Sequence, residues 1–314
     1  MNRPKIVVLA TGGTVAGTAA SKSDNIGYTA ATLGIAELRG AIDSLTELPL
    51  ASEQVAQIDS KDMDEAVWSR LAQRCAHWLA QDDVQGIVIT HGTDTLEETA
   101  YLLHSLLAPA KPVVLTCAMR PATALSPDGP QNIVDAVAVA SWAGARGVVA
   151  VCAGTIHAAF DVRKVHPYRL DAFSSGDAGP IGYVEQGRLR LLRDWPRAPL
   201  GARPLPAEGA QWPAVEIVTS HGGAGAQMVE ALLAHGVRGI VVAGTGNGSI
   251  HHALEAALRA AQAAGVKVVR TTRCADGVVL GRPGDGFLPA DGLSPVKARL
   301  ALQLALMAQQ PGPA

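Results

Sequence analysis

Aromatic residues make up only 4% of the 314-residue chain, cysteines number four, and the formal net charge at pH 7 is −2. Each scarcity excludes something. A near-neutral balance offers no excess of Lys and Arg to neutralise phosphates, so nucleic acid is not expected as a partner. Cys75, Cys117, Cys152 and Cys274 are scattered and form no Cys-x-x-Cys pair. Neither a disulfide framework nor a thiolate zinc site is signalled, and all four are expected as small core residues. No run of about 18 apolar residues escapes charge or breakers, so no membrane-spanning helix is expected. The opening Met1-Asn2-Arg3-Pro4-Lys5 enters an apolar run that soon meets Gly12 and Gly13, too early for a signal-peptide core, and a cytoplasmic location is expected.

What the chain has is apolar content, 48% of its residues, and length enough for two domains of roughly 150 residues, each able to bury a core. Short β-branched runs recur at Lys5 to Ala10, Gly86 to Thr90, Pro112 to Thr116, Gly147 to Cys152, Val215 to Thr219, Gly239 to Ala243 and Val266 to Thr271. Between them, Met63 to Ala80, Thr95 to Leu107, Pro130 to Trp142, Ala226 to His235 and Ser249 to Ala264 carry apolar residues at helical spacing. Alternation of buried strands with crossover helices predicts an α/β fold with mostly parallel sheets. Ile181 to Val184 and Leu189 to Leu192 flank Glu185-Gln186-Gly187-Arg188 as a closing hairpin, and prolines break every pattern from Asp194 to Pro213. Residues 1–193 are therefore expected as a larger doubly wound domain, 194–213 as a linker, and 214–314 as a smaller parallel α/β domain. Its last helix would be capped by Ser294 with Pro295 in the first turn.

Ligands of doubly wound sheets bind beyond the carboxyl ends of the strands, so loops following parallel strands are searched first. In Thr11-Gly12-Gly13-Thr14-Val15-Ala16-Gly17, paired glycines let backbone amides approach a ligand while Thr14 presents a hydroxyl. In His91-Gly92-Thr93-Asp94-Thr95, a strand turns through Gly92 into a helix. There Thr95 and Glu98 also read as a capping box, and Asp94 suits a helix N-terminus. A threonine nucleophile needs a proton acceptor beside it, and Lys164 in Asp161-Val162-Arg163-Lys164 is the candidate.

These residues carry a resemblance. ATGGTVAG at 10–17, ITHGTDTLEETAY at 89–101, AMRPATALSPDGPQN at 118–132 and DVRK at 161–164, followed by AGTGNGS at 243–249 and SPVKARLALQLAL at 294–306, resemble the bacterial-type L-asparaginases of the asparaginase/glutaminase family in order over nearly the whole chain. The resemblance implies a flavodoxin-like larger domain and hydrolysis of the asparagine side-chain amide to aspartate and ammonia, through an acyl-enzyme on threonine. It implies no cofactor and no metal. Thr14 would be the nucleophile and Tyr28 would orient or activate it. Thr93, Asp94 and Lys164 would form the second hydroxyl-and-base group. Asp94 would also hold the substrate ammonium, and Ser60 its carboxylate. A zwitterionic amino acid does need one anion and one set of donors. Backbone amides near Gly13, Gly92, Thr93 and Ala118 are expected to meet the substrate and its oxyanion. Residues 18–32, small and polar, are expected to form a lid carrying Tyr28. The family also implies a homotetramer of close dimers, the second domain reaching a neighbour's site.

Three positions depart from the family pattern. Lys61 replaces a glutamine beside the expected carboxylate site, Ser249 stands where an asparagine is common, and 275–286 offers only Asp276 and Asp285 where a glutamate is common. Glutamine as an equal substrate and the amidase subunit of a tRNA-dependent amidotransferase are alternatives within this chemistry. A nucleotide-binding protein is an alternative outside it, prompted by Gly244-Thr245-Gly246-Asn247-Gly248, although Ser249 holds the place of a third fingerprint glycine. His251 and His252 are neighbours that do not converge on a metal, His91 reads as a loop-positioning residue, and Arg188, Arg190 and Arg193 as the solvated side of the hairpin.

Overall fold

A computed structural model describes residues 4–32, 49–197, 204–207, 209–281, 284 and 286–309. The chain divides into two units, Met1–Ala210 and Gln211–Ala314. In the first, the strands are β1 (Lys5–Gly12), β2 (Leu50–Ile58), β3 (Val84–Thr90), β4 (Pro112–Thr116), β5 (Gly147–Cys152), β6 (Thr155–Ala158), β7 (Arg163–Lys164), β8 (Phe173–Ser174), β9 (Gly182–Glu185) and β10 (Arg188–Leu191). Eight of them form one sheet in the order β10-β9-β6-β5-β4-β3-β1-β2, while β7 and β8 pair separately. From β2 to β5 all neighbours are parallel, and β6, β9 and β10 extend the sheet antiparallel. The crossover helices are α1 (Glu65–Leu79), α2 (Leu96–Leu107) and α3 (Gly129–Ala140).

Burial explains why the central strands are unbroken apolar runs: β4 and β5 are buried at every residue. Alternate side chains supply two cores. Ile6, Val8, Val88, Val114, Val149 and Val151 pack with Ile133, Ala136, Val137 and Ala140 of α3. Val7, Leu9, Ile87, Ile89, Val113 and Leu115 are equally buried, as are Leu71 of α1 and Leu102 and Leu103 of α2. Strand β2 has no counterpart among the expected strands. Among the described residues its LASEQVAQI pairs only with β1, at the sheet edge, so it alternates buried and open positions instead of reading as a continuous apolar run.

The second unit holds one parallel sheet, β11 (Val215–Thr219), β12 (Gly239–Gly244), β13 (Lys267–Thr272) and β14 (Leu288–Pro289), in that order. Helices α4 (Gln227–Ala234), α5 (His252–Ala263) and α6 (Pro295–Met307) accompany it, with Val218, Val229, Ile240, Val242, Leu254, Leu258 and Phe287 in its core. Within the proline-rich stretch 194–213, Trp195 is buried with the first unit's core, and residues 198–203 and 208 lie outside the described residues.

Four local expectations are corrected. Thr95 does not cap α2: it occupies the cap position, but its hydroxyl donates to the Ser60 carbonyl at 2.8 Å. Ser294 stands at the start of α6, next to Pro295, without a side-chain cap bond. Cys274 is exposed, whereas Cys75, Cys117 and Cys152 are buried as expected. Arg193 leaves the solvated hairpin face, pairing with Asp161 and the Gly179 carbonyl while partly buried.

Candidate active site

Strand β1 lies between β2 and β3, so the strand order reverses beside it, and loops leaving its carboxyl end and that of β3 diverge around a crevice. Register pairs Ala10 with Thr90, which sets the Gly13-Thr14 turn beside His91-Gly92-Thr93. Ser60 follows β2 and Ala118 follows β4, at the same edge of the sheet.

Glycine is what lets these loops touch. A Cβ on Gly13 would lie 2.4 Å from the Gly92 nitrogen, and one on Gly92 would lie 2.4 Å from Ser60 Oγ. Gly13 in addition holds φ at 83°, a region that L side chains avoid. The consequence is direct backbone contact between the turns carrying Thr14 and Thr93.

Two hydroxyl groups emerge there, each with a partner. Thr14 is buried, opens a single 3-10 turn (Thr14–Ala16), and its Oγ1 lies 2.7 Å from the Tyr28 hydroxyl. Burial, and more weakly the charges of Asp59 and Asp94, raise the Tyr28 pKa, so the phenol is protonated at neutral pH. Thr93 is also buried, and Lys164 Nζ donates to its Oγ1 at 2.8 Å and to Asp94 Oδ1 at 2.6 Å. The Thr93 hydroxyl points to the same carboxylate oxygen at 3.4 Å. The close approach of Gly13 to Gly92 sets the two groups on touching turns.

Around them, the Asp94 amide donates to Ser60 Oγ at 3.2 Å, which leaves the hydroxyl hydrogen of the buried Ser60 to donate elsewhere. Asp94 itself is half exposed on its carboxylate side. Lys61 is not drawn in: its side chain is 61% exposed and pairs with Asp62, whose hydrogen bond raises its pKa. Ala118 is fully buried in a loop framed by Asp128, which accepts the Met119 and Arg120 amides at 2.9 Å each. Asn132 ties that frame to the sheet, donating to the Cys117 carbonyl at 2.9 Å and accepting the Ala153 amide at 3.0 Å. Asp128 and Asn132 stand in the 118–132 motif block, but no role for either was legible from residue pattern. Glu97, also unassigned from sequence, accepts the Lys164 backbone amide at 3.3 Å and holds β7 to α2.

Residues 18–32 cover this edge. Thr18 and Thr29 bridge, the Asp24 carboxylate accepts the Ile26 and Gly27 amides, and Ala31 donates to the Gly13 carbonyl. The segment is also laced to the Ala118 loop through Ala19 to Thr123 and Leu125 to Lys22, and Gly17 just before it accepts the Ala122 amide. In the second unit, Ser249 is exposed and bridges to Thr245 through backbone, Asp276 is exposed, and Asp285 lies outside the described residues. Among the described residues no group of three or more His, Cys, Asp or Glu could hold a metal ion, and the His251 and His252 rings stack on each other 4.4 Å apart. No helix among them is long and apolar enough to cross a membrane.

The sequence profile described as "Asparaginase, N-terminal" matches residues 5–197, and that described as "Glutaminase/Asparaginase C-terminal domain" matches 214–313. The chain belongs to the asparaginase family. It is 37% identical to L-asparaginase 2 of Bacillus subtilis, covering 96% of this chain and 82% of that protein. It is likewise 37% identical to the glutaminase-asparaginase of Pseudomonas fluorescens, over 97% and 87% of the two chains. The crystal structure of the "Probable Cytoplasmic L-asparaginase" of Campylobacter jejuni superposes with a TM-score of 0.92 at 39% identity, covering 96% of this chain and 95% of that one. Membership in the asparaginase family accounts for the order of the motif blocks, including the glycine-rich AGTGNGS, which here joins β12 to α5.

Proposed function

We propose that the protein hydrolyses L-asparagine to L-aspartate and ammonia. The observation that carries this reading is the meeting, at one switch point, of a Thr14–Tyr28 pair with a Thr93–Asp94–Lys164 group. Thr14 Oγ1 attacks the side-chain amide carbon while its proton passes to the amide nitrogen, the C–N bond breaks with release of ammonia, and water then cleaves the resulting ester, giving one proton back to Thr14 Oγ1. Tyr28, kept as a neutral phenol by burial, orients Thr14. The Thr93 hydroxyl, held between an ammonium and a carboxylate, moves protons to the departing nitrogen and from the attacking water. Asp94 receives the substrate ammonium and the Ser60 hydroxyl donates to its carboxylate, with the Gly13, Gly92 and Ala118 backbones around the reacting group. Lys61, paired with Asp62, stays at the exposed rim.

Ammonia release from asparagine tests the reading. Thr14→Ala and Thr93→Val should each lower kcat by about a thousandfold or more with the thermal midpoint preserved. Folded variants that keep wild-type turnover would overturn it. The chain is equally identical to an L-asparaginase and to a glutaminase-asparaginase, so glutamine stands as the alternative substrate, and kcat/KM on both amides decides between one substrate and two. A homotetramer is supported by the family resemblance and by exposed Phe160, Val165 and Tyr168, and sedimentation tests it. A cytoplasmic location follows the Campylobacter relative's name and is tested by cell fractionation.

A further inference from the structure

Behind the crevice runs a buried polar chain that neither substrate binding nor the nucleophile uses. Trp68 on α1, Thr99 on α2 and His91 after β3 are 3%, 0% and 0% exposed. Trp68 Nε1 lies 2.8 Å from Thr99 Oγ1, Thr99 Oγ1 lies 2.9 Å from His91 Nε2, and His91 Nδ1 lies 2.7 Å from the Gly92 carbonyl oxygen. The direction of every bond is set by the first. An indole N–H only donates, so Thr99 Oγ1 accepts from Trp68 and turns its own hydrogen to His91 Nε2. Nε2 is then the acceptor, the ring proton sits on Nδ1, and Nδ1–H donates to the Gly92 carbonyl. Burial lowers the His91 pKa to about 4, which keeps the ring neutral and this tautomer in place at ordinary pH. The His91 backbone is itself fastened, its amide donating to the Thr116 carbonyl at 2.9 Å.

The Gly92 carbonyl belongs to the peptide that carries the Thr93 amide. In a planar trans peptide the N–H points away from the C=O, so holding the carbonyl from inside the protein fixes where the Thr93 N–H points. Among the described residues that amide donates to no acceptor. A buried amide kept in one direction without an internal acceptor has the form of a donor reserved for a ligand oxygen.

We propose that His91 is a positioning residue for the hydrolysis: locked in one tautomer by Thr99 and Trp68, it holds the Gly92 carbonyl and thereby aims the Thr93 amide and hydroxyl at the reacting carbonyl group. The inference rests on the amide-hydrolase reading above and adds to it a part that touches no substrate.

The test compares His91→Phe, which keeps the ring volume without a donor, with His91→Asn, whose side-chain amide can replace Nδ1–H toward Gly92. His91→Phe should lower kcat about a hundredfold, the scale of a misdirected oxyanion donor, with KM within about twofold. His91→Asn should recover all but about tenfold of that loss, a rescue that a purely space-filling role would not give. Should His91→Phe not fold, Thr99→Val takes its place: it removes the hydroxyl that selects the tautomer, and kcat should fall about tenfold at unchanged KM. Folded His91→Phe with wild-type kcat overturns the inference, as does an equal loss in His91→Asn, or Thr99→Val with wild-type kcat where that variant is needed. In each of these the hydrolase reading survives. A wild-type protein that releases no ammonia from either amide overturns the hydrolase reading and the inference together.

Discussion

The parallel strands of the two units lead into similar glycine-containing loops, but the units put those loops to different use. Gly12-Gly13 closes β1 in one unit, and Gly244 ends β12 and leads through Gly246 to Gly248 in the other. In the first unit, loops from β1 and β3 press together and bring Thr14, Thr93 and Asp94 to one crevice, where Lys164 of β7 hydrogen-bonds to Thr93 and Asp94. In the second, Thr245 and Ser249 bridge to each other, and Ser249 remains exposed. The difference lies in strand order. The first sheet places β1 between β2 and β3, which reverses the winding, whereas β11-β12-β13-β14 runs in one direction without reversal. Glycine loops and parallel strands are thus insufficient by themselves; the reversal makes the crevice in which loops of neighbouring strands can share a ligand.

The contrast between the units should be largest in activity. Thr14→Ala or Thr93→Val in the first unit should lower turnover by about a thousandfold, while Thr245→Val, which removes only a bond to the Ser249 carbonyl, should leave kcat within about threefold. Lys164→Met comes next. Loss of the ammonium that donates to Thr93 should cost about a hundredfold in kcat, read by ammonia release, with little change in thermal midpoint because Asp94 is half exposed.

Stability sharpens the contrast further. Gly13→Ala would drive a Cβ into the Gly92 backbone at an already left-handed φ, and a loss of roughly 3 kcal/mol or more is expected by chemical denaturation. Gly246→Ala in the second unit also carries a positive φ of 48° but meets open space, so only about 1 kcal/mol should be lost. A pH effect belongs to the first unit as well. His91 is depressed from 6.5 to about 4, so between those values the unfolded chain binds a proton that the native chain does not. Stability is therefore full above about pH 6.5 and falls toward pH 4, by about 3 kcal/mol, with His104 adding in the same direction. Urea unfolding from about pH 7 to 4 should show this slope, and His91→Asn should flatten it. The smallest effect expected is slower hydrogen exchange in residues 18–32 on adding aspartate; unchanged exchange would mean that this segment is not a lid.

Central strands were legible because burial on both faces demands continuous apolar runs, and helices because one face must repeat every three or four residues. Strand β2 was not, since this edge strand carries Ser52, Glu53 and Gln54 among its apolar residues. Within the site, the two glycine turns announced themselves, but Thr95 had the pattern of a cap while a carbonyl from another loop, that of Ser60, had the stronger claim on its hydroxyl. Local pattern cannot foresee a competing partner 35 positions away. For the same reason Asp128, Asn132, Trp68 and Thr99 carried no signal: each acts on groups brought near only by folding.

Residue pattern alone determined a two-domain α/β chain with mostly parallel strands and with threonines in glycine turns at strand ends, because burial and backbone geometry act on neighbours in sequence. Tertiary structure decided which side chains hydrogen-bond to one another. Lys164 meets Thr93 across 71 positions, and Gly13 meets Gly92 only because β1 and β3 are adjacent. Hydrogen bonds and charges act over a few ångströms of space, and sheet order sets those distances.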